Sequence, residues 1–438
     1  MSAAEILATE TSVFPRFLDL AYPNVERGEG VWLTLTDGTK ILDACSGGAM
    51  VACLGHGARE IADAAAAQSE QLAYYYNHFF TNEAQERLAA KLVELAAPEM
   101  ARVRFVSGGS EANETMLRLV RQYHVDRGEP KRWRIVSPAQ AYHGATMGTL
   151  GLTGRPGLQR PFENYLAHHL HTPQAALEEL DRLLEESGPE VAAFLCEPVG
   201  GAARPGWSPP DEFWHGLAER RECHGFLVCF DEIVTGMGRT GSWFAYQQLP
   251  LQPDIVSAGK GLGGGYFPLA AVLCTEQVYD TLANGSRAFD HGHTWDGAPL
   301  PCAVGLAVLE RLARDDLVAR VRERGPRLRD QLEDAVGELA LVGEVRGRGF
   351  LLGVELVDPR DGASLLPPEV DVADLVDQIA YEHGVLVTSS HSSPDRFAPD
   401  QTLLAPAYTA TEEELAEMIE RFATALAEVE TRVLEQLW

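Results

Sequence analysis

An α/β architecture is predicted, with a mostly parallel central sheet between helical layers and a smaller α+β domain. Three observations predict it. Short apolar runs alternate with amphipathic segments through the middle of the 438-residue chain, and such alternation demands right-handed crossovers between parallel strands. After about residue 318 the pattern changes to a charged helix followed by strand-like stretches. A hydrophobic content of 45% with 23% charged residues supports a sizeable core, and the length calls for more than one domain or a large domain with a satellite.

The elements follow in order. Residues 30–45 predict a hairpin, because two alternating β-rich runs flank the Asp37-Gly38 turn signal. Helical stretches follow near 58–73 and 82–97, and the apolar runs 102–106, 133–136, 191–196, 226–230, 254–257 and 269–274 predict buried strands. Beyond 318, a helix from Arg320 to Val336 leads to strands at Val342–Arg346 and Gly349–Val357, a helix, a short strand at Val385–Val387 and a final amphipathic helix from about 412. Residues 388–403, rich in Ser, Pro and Asp, are expected to be the longest irregular stretch. Residues 1–56 and 319–438 are therefore assigned to the smaller domain and 57–318 to the large one.

A formal net charge of -28 argues against nucleic-acid and anionic-membrane partners, which it would repel. Seven dispersed cysteines without paired spacing read as reduced thiols. The first residues carry Glu5 and Glu10 before any base, unlike a secretory or transit leader, and no apolar stretch is long enough to span a bilayer. The expected location is the cytoplasm. No metal site is expected, since His291 and His293 lack partnering carboxylates or cysteines at ligand spacing.

The chemistry centres on Lys260, one of only four lysines among 36 basic residues. It stands between Ser257-Ala258-Gly259 and a run of glycines, where an ammonium is poorly hydrated, its pKa is lowered and its free amine becomes a nucleophile. That setting suits a Schiff base with a carbonyl, including the aldehyde of pyridoxal phosphate. Ser107-Gly-Gly-Ser-Glu111 follows a predicted strand and opens a helix, which makes either an anion site at the helix start or a plain N-cap. Phe226–Ile233 is an apolar strand ending in Asp231 and Glu232, at the strand end where open α/β sheets gather functional groups. An aspartate there can pair with a protonated pyridine nitrogen, or simply cap the strand. Tyr142-His143-Gly144 offers a flat face for ring stacking or a turn.

Taken together and in order, Gly-Gly-Ser-Glu-Ala, Tyr-His-Gly, Cys-Glu-Pro, Phe-Asp-Glu-Ile-Val-Thr-Gly-Met-Gly-Arg-Thr-Gly, Gly-Lys-Gly and Gly-His-Thr resemble the class III pyridoxal-phosphate aminotransferases (the ω-aminotransferase group) over nearly the whole chain. The resemblance implies fold type I and pyridoxal 5'-phosphate as cofactor. It implies that Lys260 forms the Schiff base and shuttles a proton, that Asp231 pairs with the pyridine nitrogen, and that Ile233 and Tyr142 pack on opposite ring faces beside His143. Gly109 and Ser110 would hold the phosphate together with Thr294 from a second subunit. Glu197 would hydrogen-bond near Tyr142 and the ring substituents, and Glu232 would support the site from behind. A Thr294 supplied by the neighbour makes a homodimer with shared sites the expected assembly and leaves a dimer of dimers open.

The chain departs from the family's pattern in three places. Gly108-Gly109-Ser110 replaces the usual Ser-Gly-Ser, Trp295 follows Gly-His-Thr in place of tyrosine, and Thr388 stands where many relatives carry a carboxylate-binding arginine. Arg396 is the candidate substitute for that arginine, and Phe79 and Trp207 are candidate surfaces for an apolar donor. The reading is an enzyme that moves an amino group from an amine or ω-amino acid to a keto acid, pyruvate or 2-oxoglutarate. A same-fold aminomutase, decarboxylase or racemase, and a noncatalytic cofactor-binding module, stand as alternatives.

Overall fold

The computed structural model describes residues 12–18, 20, 22–367, 369–390 and 399–437. The chain opens with three antiparallel strands, β1 (Val25–Glu29), β2 (Trp32–Leu35) and β3 (Lys40–Asp43). The central strands are β4 (Met100–Val106), β5 (Arg134–Pro138), β6 (Leu170–Thr172), β7 (Val191–Cys196), β8 (Leu227–Glu232), β9 (Ile255–Ala258) and β10 (Ala270–Thr275). The last part of the chain adds β11 (Val342–Arg348), β12 (Leu351–Leu356), β13 (Val385–Leu386), β14 (Thr388–Ser390) and β15 (Asp400–Leu404).

The seven central strands form one sheet in the order β4-β10-β9-β8-β7-β5-β6, in which β10 alone runs against its neighbours. Continuous apolar runs make this possible, since β7 (Val-Ala-Ala-Phe-Leu-Cys) is buried along its whole length, as a strand covered on both faces must be. One face is covered by the helix Gly109–Asp126, which turns Ala112, Met116, Leu119, Val120 and Tyr123 inward at helical spacing. The helices Arg59–Gln71 and Glu83–Leu95 pack on the helix Pro299–Arg314, whose Val304, Val308 and Leu312 join the main core.

Two four-stranded sheets complete the fold, in the orders β1-β2-β3-β13 and β11-β12-β15-β14. The first joins both ends of the chain, because β13 runs parallel to β3. The stretch 388–403, expected to be irregular, instead carries β14 and the start of β15. Asp400, Gln401 and Thr402 are buried there, where β15 pairs with β12 and β14 on either side. Local polarity hid that strand. The helix Glu412–Leu437 closes the chain against the helices Leu317–Val336 and Val372–Glu382.

Candidate active site

The site is built where β8 and β9 end. The two strands are parallel neighbours with Asp231 opposite Ser257. The strand includes the carboxylates, so Asp231 is fixed by the ladder itself and is 4% exposed. Its Oδ2 accepts from Asn113 Nδ2 at 2.7 Å and from His143 Nδ1 at 2.8 Å, and its Oδ1 accepts from the Ile233 N–H at 3.1 Å. Burial opposes ionisation, yet His143, Ile233 and Asn113 together hold the carboxyl below its ordinary range. Ser257 Oγ donates to Asn113 Oδ1 at 2.8 Å, which fixes the orientation of the Asn113 amide.

Lys260 follows three residues after Ser257. Its φ is +42°, a left-handed conformation that costs a non-glycine residue about 1–3 kcal/mol. The tight turn imposes it, because the N–H groups of Gly263 and Gly264 donate to the Lys260 carbonyl at 3.0 and 3.1 Å. Burial pulls the ammonium down to about 8, although Asp231 and Glu197 attract the proton. At that value about one-tenth of the side chain is free amine at pH 7.

Glu197 lies just past β7, accepts from the Gly201 N–H at 2.9 Å and is pushed up to about 7 by burial. Glu232 points to the other side of the strand. It accepts from Thr235 Oγ1 at 2.8 Å and from the N–H groups of Ala245 and Tyr246 at 2.7 and 2.8 Å. Burial pushes it up to about 7 against those three bonds. It braces the turn after β8.

The helix Gly109–Asp126 begins above this pair. As at any helix start, its first N–H groups have no intrahelical acceptor and the dipole favours an anion. Ser110 Oγ accepts from the Ala145 N–H at 3.0 Å. Gly144, at φ +130°, lies so close that a Cβ there would meet Ser110 Oγ at 2.7 Å. Ile233 lies between two glycines, since a Cβ on Gly109 would meet it at 3.1 Å and one on Gly259 at 3.0 Å. Tyr142 is 40% exposed, whereas His143 beside it is buried with its Nε2 lacking a partner among the described residues.

The remaining candidates fall elsewhere. Trp207 lines a small cleft with Glu197 and Arg204, whose guanidinium carbon stands 4.1 Å from the centre of the indole ring. Phe79 is 77% exposed on its loop. Arg396 lies outside the described residues. Thr388 sits in β14 and donates to the Gly48 carbonyl at 2.7 Å. Thr294 is exposed and lines a cavity of about 900 Å³ with Arg104, Arg118 and His293, and none of Gly109, Tyr142, Asp231 or Lys260 lines it. Among the described residues, no group of three His, Cys, Asp or Glu side chains is placed to hold a metal ion, and no helix is long and apolar enough to cross a membrane.

Sequence reasoning missed Asn113, Ser257 and Arg239 as parts of the site. A polar Asn113 on the apolar face of its helix was the available signal. Arg239 is 1% exposed and donates to the carbonyls of Pro406 and Phe350 at 2.6 and 3.2 Å and to Ser46 Oγ at 3.2 Å. Its charge helps to lower the Lys260 pKa.

The donor set fits pyridoxal phosphate: an ionised carboxylate for a ring nitrogen, a desolvated amine in the turn after the adjacent strand and a helix start for a phosphate. The aminotransferase class III model matches residues 18–426. The chain belongs to the class III aminotransferases. An uncharacterized aminotransferase of Schizosaccharomyces pombe is 36% identical over 424 residues, covering 92% of each chain. A thermostable (S)-enantioselective omega-transaminase from Thermomicrobium roseum superposes with a TM-score of 0.88 at 34% identity, covering 96% of each chain. The omega transaminase of Pseudomonas jessenii, solved in complex with PMP, gives 0.89 at 30% identity over 99% of each chain. This aminotransferase accordingly has fold type I and depends on pyridoxal phosphate.

Proposed function

We propose that this aminotransferase carries an amino group from an amine or ω-amino acid to a keto acid such as pyruvate or 2-oxoglutarate, in two half-reactions at one site. The observation that carries the reading is the ionised, triply hydrogen-bonded Asp231 with the desolvated Lys260 amine in the turn just past the neighbouring strand. When bound, pyridoxal phosphate supplies an aldehyde for the amine and a ring that takes up the electron pair left at the substrate carbon.

Asp231 would hold the proton on the ring nitrogen, with Asn113 and His143 keeping the carboxylate charged and aimed. Lys260 Nζ would take the proton from the substrate Cα and return it, a task suited to a group poised near pH 8. Gly109 and Ser110 would bind the phosphate, with the partner subunit's Thr294 completing that site in a homodimer. Ile233 and Tyr142 would hold the two ring faces, and Glu197 would orient the ring substituents. With Thr388 tied to Gly48, Arg396 is the proposed carboxylate ligand. Phe79 and Trp207 are the proposed apolar surfaces for the donor.

A screen of amines and ω-amino acids, following the cofactor's absorption band, tests this reading. Donor alone should bleach the band and a keto acid should restore it. A band that no donor bleaches would overturn the assignment.

A further inference from the structure

The loop His291–Asp296, which carries Thr294, is clamped inside its own protomer. Arg104, on the edge strand β4, donates through Nη2 to Asp296 Oδ2 at 2.8 Å and also to the His291 carbonyl. Asp296 is 7% exposed, and its Oδ2 accepts as well from the His293 N–H at 3.0 Å. His291 Nε2 and Thr115 Oγ1 share a hydrogen bond of 2.8 Å, and the Tyr74 hydroxyl donates to the Thr294 carbonyl at 2.9 Å. The loop backbone is thus tied at several points while Thr294 itself stays exposed at the crest.

Arg104 Nε, His293 Nε2 and Asp296 Oδ1 are buried without a hydrogen-bond partner among the described residues, and all three residues line the cavity of about 900 Å³ described above.

We propose that Arg104 is a positioning residue for the neighbouring cofactor site. By holding Asp296 and the His291 carbonyl, it presents Thr294 already shaped for the partner subunit's phosphate. The inference rests on the shared-site reading given under Proposed function. Its physical content is preorganisation, since a loop ordered in advance does not lose that freedom again when the phosphate binds.

The test measures the dissociation constant of pyridoxal phosphate from the dimeric apoenzyme, beside that of pyridoxal, which lacks the phosphate. Arg104→Met should weaken pyridoxal phosphate by about tenfold to a hundredfold, the worth of a charge-assisted hydrogen bond, and leave pyridoxal unchanged. Thr294→Ala should do the same, and the double variant should bind no more weakly than the weaker single variant. Additive losses, an equal loss toward pyridoxal, or an unchanged constant for Arg104→Met beside a weakened Thr294→Ala would overturn the role of Arg104 alone. An unchanged Thr294→Ala would overturn the shared site, and this inference with it. Should Arg104→Met fail to form dimers, Asp296→Asn removes the same ion pair with little change of shape and makes the same comparison.

Discussion

Asn113 donates its side-chain amide to Asp231 Oδ2 at 2.7 Å, joining the helix Gly109–Asp126 to the end of β8 in a single bond. The same amide donates to the His143 carbonyl at 2.8 Å, so the helix, the Tyr142 turn and the strand meet at one side chain. Asp231→Asn keeps the shape but removes the anion, and turnover should fall on the order of a thousandfold or more. Asn113→Ala removes one hydrogen bond to a charged group, so kcat should fall by about tenfold to a hundredfold. Steady-state kinetics check both, and near-wild-type activity in Asp231→Asn would reject its role.

Lys260 gives a pH-dependent prediction. Its value is depressed to about 8 by burial, so the ammonium dominates below that pH and the free amine above it. The rate at which apoenzyme captures pyridoxal phosphate should rise through pH 7–9 and level off beyond, as stopped-flow absorbance would show. Glu197 attracts the Lys260 proton, so Glu197→Gln should move the rise to lower pH. Borohydride trapping and peptide mapping should place the cofactor on Lys260, and label on Lys40, Lys91 or Lys131 would refute the assignment.

Much of the fold was legible because apolar runs without interruption, as in β7 and Phe226–Phe230, suit only a strand covered on both faces. The three-residue strand β6, Leu-His-Thr, left no such trace. β15 was hidden because the partners of its buried polar residues are distant in sequence, as with Gln401, which accepts from Arg346. Within the site, Lys260 and Asp231 stood out by local context. Asn113 and Arg239 did not, because the hydrogen bonds from Asn113 to Asp231 and from Arg239 to Phe350 span more than a hundred residues.

Glu232 accepts three hydrogen bonds from Thr235, Ala245 and Tyr246 while fully buried. Glu232→Gln would turn an amide donor toward one of those donors. The mismatch should cost about 1–3 kcal/mol, seen as a lower urea midpoint. An unchanged midpoint would show that the turn after β8 does not depend on this brace.

The proposed shared site predicts complementation between subunits. Lys260→Ala abolishes chemistry in its own protomer, whereas Thr294→Ala should damage only the neighbour's phosphate contact. In a mixed dimer, one site therefore loses both residues and the other keeps both. Mixing Lys260→Ala and Thr294→Ala subunits under conditions of proven exchange should raise activity per mixed dimer toward half of wild type. The recovery should saturate at equal proportions, where mixed dimers are most abundant. No recovery would mean that each protomer completes its own phosphate site, and Thr294 would return to the exposed crest of its loop with no part in the chemistry.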